Sequence, residues 1–127
     1  MRSPNSLSEN EIEQILRSHL IVQDWDVKII PRSNHHLDVV AVRGSERWVI
    51  EVASMKNSSL VDSFVAALGE LLQRMDVDGP HDKYSVAFPD IKPFQRLWER
   101  LPSLVKRKTG ITAIFIDETG KITEINE

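Results

Sequence analysis

The chain contains no cysteine among its 127 residues. That absence excludes a disulfide framework, a thiolate metal site and a thiol nucleophile. It is compatible with a reducing compartment, so a cytoplasmic protein is expected. No apolar run approaches the roughly 20 residues that a membrane-spanning helix needs. The polar start MRSPNSLSENE is not that of a signal peptide. Positive charge is not in surplus either: a net charge of −3 gives no global attraction to nucleic acid, while leaving room for a local basic face. Internal repeats, low-complexity tracts and linkers are also missing. What remains is an ordinary globular composition, 41% hydrophobic and 28% charged. It suits one core and one domain over residues 1–127, with 1–6 as a loose tail.

The most informative stretch is residues 36–56, HLDVVAVRGSERWVIEVASMK. Val39, Val40, Ala41 and Val42 form one apolar, mostly β-branched run; Trp48, Val49, Ile50 and Val52 form a second. Gly44-Ser45 lies between them, and glycine reaches the positive φ of a type II′ or I′ hairpin turn. With that turn Arg43 faces Glu46, and counting outward sets Asp38 opposite Glu51. Directly opposed residues share a face, with Cβ atoms about 4.5–5.5 Å apart. Two carboxylates that close repel. A shared divalent cation, a shared proton or a neighbouring Lys or Arg would compensate.

Around the hairpin the chain alternates helix and strand signals. Ser8, the acids Glu9 and Glu11, and the spacing of Ile12, Ile15, Leu16 and Leu20 predict an amphipathic helix over about residues 8–20. Glu9 and Glu13 lie four apart on one side of it, where solvated surface acids are the ordinary expectation. Residues 25–30 read as a strand stopped by Pro31, and 32–36 as a polar link. His36 and Asp38 can point the same way, as a metal-ligand pair would, and a plain loop histidine fits as well. Asn57-Ser58-Ser59 opens a long helix, with Ser59 and Asp62 at capping-box spacing. Its apolar stripe takes in Leu60, Val61, Phe64, Val65, Leu68, Leu71, Leu72 and Met75, and Asp78-Gly79-Pro80 ends it. Residues 83–88 form a strand. Asp90 is expected to cap the next helix, with Pro93 in its first turn. Pro102 breaks that helix and starts a shorter one, which Gly110 stops. Residues 111–116 and 121–125 close the series as a strand and an edge strand. Meander strands followed by crossover helices imply an α/β fold, a mixed central sheet flanked by helices on both faces.

The element order, an Asp opening the second strand (Asp38) and a Glu late in the third (Glu51) together resemble the restriction-endonuclease-like nucleases, the PD-(D/E)xK superfamily. The resemblance covers about residues 8–116. The chain is similar in particular to small bacterial members, to archaeal Holliday-junction resolvases and to the Mrr type. The resemblance implies an αβββαβ core and a DNA phosphodiesterase dependent on Mg²⁺ or Mn²⁺. Asp38 and Glu51 would then be metal ligands, joined by the Val52 carbonyl, with Glu13 as the helix acid. Glu70 stands where many relatives carry glutamine. DNA would be the partner, recognised by its structure rather than its base sequence, and a homodimer is in keeping with such nucleases.

One position departs from the pattern. The motif lysine is Ala53, on the same strand face as Glu51. Sites of this kind need a cation there to orient water and stabilise the pentavalent phosphorus. Lys56 is the candidate stand-in, with Lys28 and Arg32 as further ones. Three functions therefore stand side by side. The first is a nuclease using Asp38, Glu51, Glu13 and Lys56. The second is a catalytically inactive module binding nucleic acid or a protein partner. In the third, the acids are structural and paired with Lys or Arg. Arg96, Arg100, Lys106, Arg107 and Lys108 form the local basic cluster, which either meets DNA phosphates or is a solvated helix face.

Overall fold

Ser8 starts the first helix with a reciprocal cap. Its Oγ accepts from the Glu11 N–H at 3.1 Å, and the Glu11 carboxylate accepts from the Ser8 N–H at 3.0 Å. In the computed structural model, which describes residues 7–31, 37–53, 59–75 and 82–127, this helix, α1, spans Glu9–Val22. It ends in a Schellman turn: the Trp25 N–H donates to the Leu20 carbonyl at 3.1 Å and the Asp24 N–H to that of Ile21 at 3.0 Å. Asp24 takes the left-handed conformation this turn requires, at φ 69°. Strand β1 (Asp26–Pro31) follows.

The hairpin forms as its sequence predicts. Strands β2 (Leu37–Arg43) and β3 (Glu46–Val52) are antiparallel, with Arg43 opposite Glu46 and Asp38 opposite Glu51. Gly44 sits at φ 61°, and Ser45 is not among the positive-φ residues, which is the type II′ pattern. The remaining elements are α2 (Leu60–Arg74), β4 (Asp82–Pro89), α3 (Lys92–Arg100), α4 (Ser103–Thr109), β5 (Thr112–Ile116) and β6 (Ile122–Ile125). The six strands lie in sequence order. β1, β2 and β3 pair antiparallel, β3, β4 and β5 pair parallel, and β6 returns antiparallel on the edge. This is the expected α/β architecture: an αβββαβ core with a mixed sheet.

Each parallel step needs a crossover, and right-handed crossovers that step the same way place their helices on the same face. α2 and α3 accordingly share one face, where Phe64, Ala67, Leu71, Phe94 and Trp98 meet Val86, Phe88 and Phe115. α1 covers the other face, where Ile12, Leu16 and Leu20 meet Val39, Ala41, Ile50 and Ile114. Sandwiched between helices, β5 is buried along its whole length.

Three expectations are corrected. Ile91, not Asp90, is the N-cap residue of α3, and it makes no side-chain cap. The Asp90 carboxylate instead accepts from Gln95 Nε2 at 2.6 Å. The apolar stripe of α2 is wider than the face it buries, leaving Val61, Val65 and Leu72 exposed. Lys106 is buried, its ammonium 4.8 Å from the Trp98 ring centroid. The basic cluster is thereby reduced to the exposed Arg96, Arg100, Arg107 and Lys108. The helix stop expected at Asp78-Gly79-Pro80 lies outside the described residues.

Candidate functional site

Strand alternation places Asp38 and Glu51 on the α2 face of the sheet, near the carboxyl ends of the parallel strands, where α/β sheets commonly hold their ligands. Both side chains are fully buried. Burial raises the Glu51 carboxyl first, and the hydrogen bond to Asp38 and that residue's charge raise it further. The nearby Arg74 only partly offsets them, and the group is pushed up to about 10. The pair is thereby held from losing both protons in the ordinary carboxylate range.

The Asp38 charge is met from α2. Arg74 Nε donates to Asp38 Oδ2 at 2.7 Å, and Arg74 Nη2 donates to Glu70 Oε2 at 3.1 Å. Burial works against the arginine's charge, but the hydrogen bond and charge of Asp38, with Glu51 and Glu70 behind them, outweigh it and raise its pKa. The centre thus reads Glu51, Asp38, Arg74, Glu70 in a line from β3 through β2 to α2. Of the three ways to reconcile two facing acids, a neighbouring arginine is present, and the raised Glu51 carboxyl is in keeping with a shared proton beside it.

Arg74 was not singled out from the sequence, although two signals pointed to it. It lies four residues after Glu70, the spacing of a helical ion pair. It also lies seven after the buried Ala67, so it continues the stripe that faces the sheet.

Glu13 is buried on α1, which covers the opposite face. Burial raises its carboxyl and Arg17 partly counters the rise; neither hairpin acid contributes. Its Oε2 has no hydrogen-bond partner among the described residues. Val52 closes β3 directly after Glu51; its side chain lies in the α1-side core, and the atom expected to serve is its backbone carbonyl. Ala53 is fully buried in the core of Phe64, Ala67 and Phe88. Lys28 shares the acid face, opposite Val40, and is exposed. Arg32, His36 and Lys56 lie outside the described residues.

No group of three His, Asp or Glu side chains able to hold a metal occurs among the described residues. The two acids that do converge share their space with a guanidinium, which a hard cation would have to displace.

No protein-family model matches the sequence, and no curated protein matches it. Solved structures do. An XisH family protein from Nostoc punctiforme PCC 73102 superposes with a TM-score of 0.60 at 19% identity, over 90% of this chain and 98% of that one. An fdxN element excision controlling factor protein from Anabaena variabilis superposes with a TM-score of 0.59 at 17% identity, over 91% and 98%. These are likenesses of fold. No helix among the described residues is long and apolar enough to cross a membrane.

Proposed function

We propose that the chain is a DNA-directed protein of nuclease-like fold that binds without cutting, its acid centre held closed by its own arginine. The observation that carries this reading is the 2.7 Å bond from Arg74 to Asp38, which supplies from α2 the positive charge that the facing acids need. Ala53 supports it, since its methyl packs into the core where a catalytic site of this type would present an amine. Losing one transition-state charge contact costs orders of magnitude in rate. One fold neighbour is named an excision controlling factor, and a controlling role on DNA is what we carry over from that name. Exposed Arg96, Arg100, Arg107 and Lys108 would meet phosphates, and DNA would be recognised by its structure.

A Mg²⁺- or Mn²⁺-dependent phosphodiesterase is the second reading. The facing register of Asp38 and Glu51 favours it. It requires Arg74 to withdraw and another cation, Lys56 foremost, to serve the reaction. Mobility-shift and cleavage assays on branched, single-stranded and duplex DNA, with Mg²⁺ and with Mn²⁺, separate the two. The expected result is salt-sensitive retardation with intact DNA. Cleavage that disappears in Glu51→Ala would replace the first reading by the second. Absence of any retardation would remove DNA as the partner and leave a protein-binding module.

A further inference from the structure

At the other end of the hairpin, the α1 face of the sheet carries a cavity of about 340 Å³. Arg43 on its rim is five strand positions from Asp38, a separation of about 17 Å. The cavity floor is apolar. Leu16 and Leu20 come from α1 and Ile114 from β5, and the indoles of Trp25 and Trp48 meet edge to face with centroids 5.8 Å apart. The rim is charged, with Arg43, Arg47 and Lys83 set against Glu46 and Glu124. Each cation has a carboxylate partner: Arg43 with Glu46 at 3.3 Å, Lys83 with Glu124 at 2.7 Å, and Arg47, whose side chain belongs to the other strand face, with Asp82 at 2.9 Å.

One wall is a closed circuit across four strands. Trp48 Nε1 donates to Ser85 Oγ at 2.8 Å. Thr112 Oγ1 donates to Glu124 Oε2 at 2.7 Å. The one hydroxyl proton of Thr112 is thereby committed, so Ser85 is the donor in the Ser85–Thr112 bond. Glu124 also takes Lys83 Nζ at 2.7 Å, and that ammonium lies 4.1 Å from the Trp48 ring centroid. A buried polar chain satisfied at each link fixes its members in place. Arg43 is fixed as well: its guanidinium lies 4.2 Å from the Trp25 ring centroid and donates to the Gln23 carbonyl at 3.0 Å.

We propose that this cavity binds an unpaired nucleotide, the base stacking over the Trp25–Arg43 pair and the phosphate turned to Lys83. Aromatic rings and guanidinium planes are the surfaces on which unpaired bases stack. Phosphate oxygens are the acceptors that suit an ammonium. A purely apolar ligand would leave the Lys83 ammonium and the Arg43 guanidinium unused, and a simple anion would leave the indole floor unused. The volume is within the range of small-ligand sites. The site stands apart from the acid centre and does not depend on what that centre does.

The test uses the full chain, titrated with dTMP, oligo(dT), deoxyribose 5-phosphate and inorganic phosphate, and reads the indole N–H signals by NMR. The Trp25 and Trp48 signals are expected to move. The Trp98 signal, whose Nε1 donates to the Glu127 carbonyl at 3.1 Å, stays as an internal control. Movement with both dTMP and oligo(dT) identifies a site for free and in-strand nucleotides, and movement with oligo(dT) alone a site for a strand. Arg43→Gln should weaken binding about tenfold or more, while giving up its contacts to Trp25, Gln23 and Glu46 lowers the melting temperature by only a few degrees. Glu51→Gln should leave binding unchanged. The proposal fails if neither dTMP nor oligo(dT) moves the two signals at about 1 mM. It also fails if phosphate or deoxyribose 5-phosphate binds as tightly as dTMP, or if Arg43→Gln binds like the parent.

Discussion

Arg74 and Asp38 are joined at 2.7 Å across 36 residues of sequence, the arginine side chain 17% exposed and the aspartate not at all. Removing one partner of such a pair leaves a buried charge uncompensated, which costs more than the pair itself contributes. Arg74→Met should therefore destabilise the fold by about 3 kcal/mol in urea denaturation. In an Asp38→Asn background the same change should cost far less, because no buried charge remains. Equal losses in both backgrounds would mean that the ion pair is not what Arg74 contributes.

Glu51 gives the protein a pH dependence of definite sign. Its folded-state pKa is raised from 4.5 to about 10, so the native state keeps a proton that the unfolded chain releases. The resulting stability is fully present below the unfolded value and is lost as pH rises toward the folded one. The slope for one proton is at most about 1.4 kcal/mol per pH unit. Urea midpoints should therefore fall between about pH 5 and about pH 9. Glu51→Gln should flatten that fall without abolishing it, since Glu13 is also raised by burial. An unchanged slope in the variant would show that Glu51 does not hold the proton.

Local chemistry made much of this fold legible. Gly44-Ser45 fixed the turn and with it the Asp38–Glu51 register, because a hairpin leaves the pairing no freedom once its loop length is set. Ser8 with Glu11 marked the start of α1 in the same way. What could not be read were partners brought together from distant elements. Arg74 reaches Asp38 only because α2 crosses the sheet at one angle. The circuit from Trp48 to Glu124 joins four strands whose relative order no local pattern encodes. The width of the α2 stripe misled for a related reason: Val61, Val65 and Leu72 are as apolar as Phe64, and only the packed structure shows which of them face solvent.

Ala53 marks where a catalytic lysine would have to fit. Its methyl is buried in the core of Phe64, Ala67 and Phe88. Ala53→Lys should destabilise by about 1–3 kcal/mol through overpacking and should not create DNA cleavage with either metal. A stable variant that cleaves would show that the site has room for the amine and would restore the enzymatic reading.

Asp24 holds φ 69° at the end of α1, a conformation that glycine adopts without steric cost. The two Schellman hydrogen bonds are backbone bonds, so they survive replacement of the side chain. Asp24→Gly should raise stability by about 0.5–1 kcal/mol, read as a higher melting temperature. A loss of stability would mean that the aspartate side chain contributes more than its backbone strain costs.

The direction of the circuit beside the cavity leads to two unequal substitutions. In Ser85→Ala the Trp48 N–H loses its acceptor at the fully buried Ser85 position. That variant should lose about 1–3 kcal/mol, and the Trp48 indole N–H signal should move upfield as its hydrogen bond disappears. Glu124→Gln keeps an oxygen to accept from Thr112 and gives up only the ion pair with Lys83, whose side chain is 43% exposed. That loss should stay below about 1 kcal/mol, with the Trp48 signal in place. If Glu124→Gln costs as much as Ser85→Ala, the circuit is held together by the Lys83–Glu124 charges rather than by the committed hydroxyl protons of Ser85 and Thr112.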